Sequence, residues 1–348
     1  MTVWLRRDTE GGHFDMRTIS RVAVGVLGFA LTAGVLAGCG KAGSSGTSAA
    51  ATGVAAGGCA PIAGQQMVVL DDDKHLSNTD DIIPAVNSKA ASPQLLAALN
   101  KVSATLDTSK LVQLNKATDV DHQTSAAAAA AFAQSNNLTA GIAKGSGGKI
   151  IVGAANFSEN QTLAELYKIV LNAAGYTATT QTIGNRELYE PALEKNQIQV
   201  VPEYAATLTE FLNSKVNGAS AAPQASSDLD ATVTALKQDG AKLGLTFGDA
   251  SQATDEDAWA VTKATADKYS LKTLSDFAAK CNGKASVLGG PPECPQRPFC
   301  QPGLKSKYGL EFGQFKALDS GGNLTKTALT NGQITLGLVL SSDPALAG

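Results

Sequence analysis

The sequence predicts an α/β fold built as two lobes, and three observations carry that expectation. From Lys149 onward, short β-branched or apolar runs alternate with amphipathic helical stretches. Once an N-terminal segment that reads as targeting and tether is set aside, roughly 290 residues remain, enough for one large domain or two lobes of ordinary size. The composition is that of a globular chain, 43% apolar with few aromatics. A formal charge of -3 with the two signs interspersed gives no basic face, so nucleic acid is not an expected partner.

The first elements are not structural ones. Arg17 and Arg21 follow Met16 and precede an uninterrupted apolar and small-residue run, Val22 to Leu36, as in a secretory signal peptide. The run is short for a membrane span, the alternative reading together with a buried helix. It ends in Leu36-Ala37-Gly38-Cys39, where small residues before a cysteine match the lipoprotein cleavage pattern, so Cys39 is the expected lipidation site. Residues 1–15 have mixed charge and no hydrophobic pattern and read as upstream of the start, which falls at Met1 or Met16. Residues 1–38 are therefore processing sequence. Residues 39–58, nearly all Gly, Ala, Ser and Thr, bury too little apolar surface to fold and read as a flexible tether. The expected location is the outer face of a bacterial cytoplasmic membrane.

In the body, Met67 to Leu70 is a lone apolar strand followed by the acidic turn Asp71 to Asp73. Helices are expected at Pro93 to Leu106, where Leu95, Leu99, Val102 and Leu106 make one stripe, at Ser109 to Lys116, and at the alanine-rich Ser125 to Gln134. A Gly/Lys/Ser linker, 141–148, is the cleanest internal boundary. Then come a strand at Lys149 to Val152 and a helix opened by a Ser158/Gln161 capping box and stopped at Gly175. A strand follows at Ala178 to Ile183, a helix at Arg186 to Lys195 and a strand at Ile198 to Val201. Next is a helix at Pro202 to Asn213 with proline in its first turn. Leu229 to Leu243 is a helix and Leu245 to Phe247 a strand. The alternation resumes with strand Ala258 to Val261, helices near Ala264 to Tyr269 and Leu274 to Lys280, strand Ala285 to Leu288, helix Leu324 to Asn331 and strand Ile334 to Leu340.

Cys59, Cys281, Cys294 and Cys300 would be oxidised outside the cytoplasm. Three pairings are open; the short spacing favours Cys294 with Cys300, leaving Cys59 with Cys281. No CxxC pair exists and His13, His75 and His122 are scattered, so neither a metal centre nor a cofactor is expected.

Several ordered segments carry a family resemblance. VGAANFSEN (Val152 to Asn160), NRELYEPAL (Asn185 to Leu193), VPEYAAT (Val201 to Thr207), KYSLKTLSDFA (Lys268 to Ala278), LGGPPE (Leu288 to Glu293) and NGQITLGLVLSSDPALA (Asn331 to Ala347) resemble the osmoprotectant-binding proteins of ABC importers, whose ligands are glycine betaine, choline and carnitine. The resemblance implies a two-lobed, type II periplasmic-binding-protein-like fold, each lobe a mixed sheet flanked by helices, with a hinge between them. In that family a VVLEDDKH-like strand and C-terminal helices follow the SSDP segment. Here the matching residues, MVVLDDDKHL at Met67 to Leu76 and LLAALNKVSATLDTSKLVQLNK at Leu95 to Lys116, stand at the front. The chain thus reads as a circular permutation. On that reading 59–80 completes lobe two, 81–140 supplies helices of lobe one, 141–148 links, 149–251 is the rest of lobe one and 252–348 the rest of lobe two.

A betaine needs aromatic faces around its quaternary ammonium and donors on its carboxylate. By resemblance Tyr204 is a cage tyrosine, Thr207 a hydroxyl donor and Arg297 the carboxylate-binding arginine, unless Arg297 only pairs with Glu293. At three further cage positions stand Asp257, Leu340 and Asp80, with Trp259 beside the first, and Ala155 replaces a lysine. Asn156 completes the candidate set, although it and Glu159 could serve only to cap the next helix. Two carboxylates suit a cation such as choline, or a polyol or polyphenol whose hydroxyls they accept. The expected partners are a small-molecule solute, an ABC permease and, through the lipid anchor, the membrane; the protein is expected to be a monomer. No GxSxG or HExxH is present, so an enzyme is not expected. A surface receptor of the same fold that has lost transport is the alternative.

Overall fold

The computed structural model describes residues 57–346. Val22 to Leu36, Cys39 and most of the tether therefore lie outside the described residues. In chain order the elements begin with β1 (Met67–Leu70), β2 (Ile82–Asn87), α1 (Pro93–Thr105), α2 (Thr108–Asp119), α3 (Ser125–Ser135), β3 (Lys149–Ala155) and α4 (Ser158–Ala173). They continue with β4 (Thr177–Gly184), α5 (Arg186–Glu194), β5 (Val200–Tyr204), α6 (Ala205–Asn217), α7 (Leu229–Lys242), β6 (Leu245–Phe247) and β7 (Asp257–Thr262). The last are α8 (Lys263–Tyr269), α9 (Leu274–Cys281), β8 (Gly283–Gly290), α10 (Gln301–Tyr308), β9 (Phe312–Ala317), α11 (Asn323–Thr330) and β10 (Leu336–Leu340).

The strands form two five-stranded mixed sheets, β4-β3-β5-β2-β6 and β1-β7-β10-β8-β9. Read from their parallel edges they have the same pairing pattern: two parallel contacts followed by two antiparallel ones. Each sheet is covered on both faces, so each lobe has two cores. In lobe one Ile82 and Val86 join the cluster under α1 to α4, while Ile83 and Ala85 join the one under α5 to α7. Lobe two divides likewise, with the larger cluster around Trp259, Phe277 and Leu336 and the smaller around Leu329 and Ile334. The chain passes between lobes twice, at residues 71–81 and 248–256. These segments run side by side, with Asp81 bridging Thr254 and the Asp255 N–H donating to the Asp80 carbonyl at 3.0 Å.

Four local expectations are corrected. Residues 81–140 contain a strand, β2, besides their helices, and its fully buried IIPAVN gives no alternation to read. Pro84 in a central strand argues against such an assignment. It is accommodated because it sits opposite Pro202 in the ladder. Both carbonyls point outward, Pro84 accepting from Gly248 N–H at 3.0 Å and Pro202 from Asn160 Nδ2 at 2.9 Å, so neither missing N–H is needed between the two strands. Pro202 itself therefore belongs to β5, and the following helix starts three residues later than proline placement suggests. The Ser158/Gln161 capping box does not form: the N-cap is Phe157, without a side-chain bond, and Ser158 is already helical. Finally, α10 and β9 form where the apolar pattern predicts no element.

Two disulfides tie lobe two, Cys59–Cys281 and Cys294–Cys300. The first holds the incoming segment beside β8, where Gly58 has a φ of +70° and a Cβ would lie 2.7 Å from the Gly283 carbonyl oxygen. Only glycine fits there. Among the described residues no helix is long and apolar enough to cross a membrane, and no cluster of three or more His, Cys, Asp or Glu side chains could hold a metal ion.

Candidate functional site

A cavity of about 450 Å³ opens beside the crossovers, walled by both lobes. Asp80, Asn156, Tyr204 and Thr207 line it together with Asp257, Arg297 and Leu340. These residues come from distant parts of the sequence, and the sheet ends and crossovers bring them together. Trp259 is the exception. It is 1% exposed within the lobe-two core: it shares the face of Asp257 but lies two residues further along β7, between Leu70 of β1 and Leu338 of β10. Its role as a ligand contact is therefore corrected to packing.

The wall also contains groups that motif reading passed over. Phe157, Phe211 and Phe299 add aromatic surface, and the Phe157 ring stacks on that of Tyr204 with centroids 6.2 Å apart. Arg186, inside the NRELYEPAL segment, binds Glu203 through Nε and Nη2 at 2.7–3.2 Å and donates from Nη2 to Thr207 Oγ1 at 2.9 Å. Tyr189 donates to the same Glu203 at 2.9 Å. Those motif residues could have been flagged by their charge alone, but nothing in their spacing says that Arg186 and Glu203 meet.

Asp80 has a defined job. Its carboxylate accepts from the Ala206 N–H at 2.7 Å and from the Thr207 N–H at 3.3 Å, capping α6 from outside the helix, whose own N-cap residue, Tyr204, makes no side-chain cap bond. Burial pushes its carboxyl up to about 7, despite the opposing pull of Arg186 and of the hydrogen bonds from Thr207 and Ala206.

Behind Tyr204, Glu159 accepts from Tyr204 Oη at 2.7 Å, from Asn115 Nδ2 at 2.6 Å and from Ser342 Oγ at 2.7 Å, a network that joins the lobes. Glu159 thus bonds across the interface and does not cap its own helix. Beside it Asp255 accepts from the Ser342 N–H at 3.1 Å. Burial, first, and the charge of Glu159 push the Asp255 carboxyl far up, and burial raises Glu159 as well. Asp257 is raised by burial, with Arg297 and Arg186 pulling the other way.

Arg297 stands on a tight loop closed by Cys294–Cys300, in which its own N–H donates to the Glu293 carbonyl at 3.2 Å. Its guanidinium meets Glu293 at 3.1 Å, the pairing that the sequence left open, and also reaches across to Glu187 of α5.

Two α/β lobes, two adjoining crossovers and a polar and aromatic cavity between the lobes define a solute-binding protein of the two-lobed, periplasmic-binding-protein-like class. The chain belongs to the family of substrate-binding domains of ABC-type glycine betaine transport systems, whose model matches residues 58–135 and 148–348. That is a family of transport substrate-binding proteins and not of enzymes. A solved crystal structure of a glycine betaine/carnitine/choline ABC transporter is similar at 21% identity, covering 55% of this chain and 68% of that one with a TM-score of 0.35, a likeness too slight to bear on individual residues. No curated protein sequence matches the chain.

Proposed function

We propose that the protein is an extracytoplasmic, lipid-anchored binding protein that captures a compatible solute of the quaternary-amine type, such as glycine betaine or choline, and delivers it as a monomer to an ABC permease. The observation that carries this reading is the cavity itself. Aromatic rings of Phe157, Tyr204, Phe211 and Phe299 share its wall with the carboxylates of Asp80 and Asp257, the surroundings that a cation without hydrogen-bond donors requires. Its volume falls within the roughly 300–1,000 Å³ of ordinary ligand pockets. Closure would turn on the paired crossovers, with the solute favouring the closed form by its contacts to both lobes. Isothermal titration with choline, glycine betaine and carnitine tests it: micromolar binding of at least one is expected, and no binding of any quaternary amine would sink the reading.

A second reading has its own support. The cavity extends past Tyr204 along α6 to Phe211, Ser214 and Lys215, leaving room for a larger ligand, and carboxylates accept hydroxyl protons. A surface receptor for a polyol or polyphenol would use the same wall, and a sugar and polyphenol panel separates the two.

Anchoring at Cys39 rests on the sequence pattern before it. The circular permutation rests on chain geometry as well as on motif order. β1 and β10 both flank β7 antiparallel, so they run parallel to each other. A direct connection from the end of β10 must return along a five-residue strand, a distance of roughly 17 Å. Residues 341–348 joined to 64–66 would span up to roughly 36 Å when extended, which is ample.

A further inference from the structure

Every cation on the cavity wall already has a carboxylate of the protein. Arg186 is filled by Glu203, and Lys215 by Glu190 at 2.6 Å and Glu194 at 2.7 Å. Arg297 is the informative case. Its Nε donates to Glu187 Oε1 at 3.1 Å and its Nη2 to Glu187 Oε2 at 3.0 Å, two parallel bonds from one edge of the guanidinium. That is the fork geometry by which arginine takes a free carboxylate. Glu187 comes from lobe one and Arg297 from lobe two, so the bond bridges the cavity mouth. Glu293 approaches the same Nη2, leaving the guanidinium shared between two anions. Asp257, by contrast, makes no side-chain hydrogen bond or ion pair among the described residues; the charges of Arg297 and Arg186 favour its carboxylate, and Asp257 and Asp255 repel each other.

These observations concern the same site as the quaternary-amine reading and rest on it. We propose that Glu187 is a built-in substitute for a ligand carboxylate: by occupying Arg297 it latches the two lobes and makes the site select a quaternary cation that has no carboxylate of its own. A betaine entering this cavity must displace Glu187 or bring a third anion against Arg297, with Asp257 adding repulsion. A quaternary alcohol meets neither obstacle and finds Asp257 as acceptor for its hydroxyl. Glu187 is thus a specificity-determining residue, and it acts through the arginine it holds.

Choline and glycine betaine test this cleanly, since they share the trimethylammonium group and differ in bearing a hydroxymethyl or a carboxylate. Titrations of each into the wild type and into Glu187→Gln should give at least a tenfold preference for choline in the wild type. In the variant the choline preference should fall at least tenfold, because loss of the latch shifts the open and closed populations for both ligands alike and only the carboxylate competition differs between them. Small-angle scattering of the ligand-free proteins is the second measurement: Glu187→Gln and Arg297→Gln should both be more extended than the wild type. Equal discrimination and equal compactness in the wild type and Glu187→Gln would overturn the proposal, leaving an ion pair without a role in selection. A wild type that prefers glycine betaine would overturn it as well. If neither ligand binds any of the proteins while both variants extend, the latch stands and the quaternary-amine reading fails; if neither binds and the variants stay compact, both fail.

Discussion

Tyr204, Asp80 and Trp259 illustrate how far a residue type carries its role. All three were candidates because of their place in or near a motif, but their side chains are used differently. Tyr204 presents its ring to the cavity and gives its hydroxyl to Glu159, Asp80 caps α6, and Trp259 fills the lobe-two core with its Nε1 unpaired. Trp259→Ala should cost about 3–5 kcal/mol in urea denaturation. Trp259→Phe should cost much less, because it also removes a buried donor without a partner. Neither should alter solute affinity of the folded protein. Asp80 predicts a pH dependence. Its folded carboxyl titrates near 7 against 3.8 as its ordinary value, so the folded chain binds the proton more tightly. Its contribution is then fully present below about pH 4 and is lost as pH rises through about 7. Asp81, raised by burial to about 6, acts in the same direction. Asp80→Asn keeps an oxygen for the α6 cap and should flatten the change in urea midpoint between about pH 5 and about pH 8, an effect of at most roughly 3 kcal/mol.

At the scale of elements, most helices and strands from Lys149 onward were legible because their apolar periods are unambiguous. β2 was not, since a strand buried on both faces has no period-two signal and Pro84 masks it further. The position of α6 was also set from outside, by Asp80 and by the pairing of Pro202 with Pro84, neither of which is local in sequence. The disulfides divide their labour by loop size. Cys59–Cys281 closes a loop with a separation of 222 residues, and replacing both cysteines with serine should cost about 2–5 kcal/mol by thermal denaturation. Cys294–Cys300 spans six residues and holds the loop that presents Arg297. Its double serine variant should lose less stability but weaken solute binding severalfold, read by titration.

Over the whole molecule the chain starts the described fold in lobe two, builds all of lobe one and returns. Opening the chain within 141–148 and joining Gly348 to Gly64, with Cys281→Ser to avoid an unpaired thiol, should give a protein that folds cooperatively and keeps its solute affinity within about threefold. Aggregation or loss of the cooperative transition would count against permutation, because the cores of both lobes would otherwise be unchanged.

By itself the sequence determined the α/β class, the elements with clear periodicity, and which short motifs deserved attention, since these depend on neighbours within a few residues. It also named seven of the residues that wall the cavity, through short motifs spread along the chain. Only the tertiary structure decided what those residues do there. Whether Arg297 is open to a ligand depends on Glu187, 110 residues away on the other lobe, and whether Trp259 faces solute or core depends on two flanking strands from opposite ends of the chain. Charge pairing and burial are properties of three-dimensional proximity, and no local pattern encodes them.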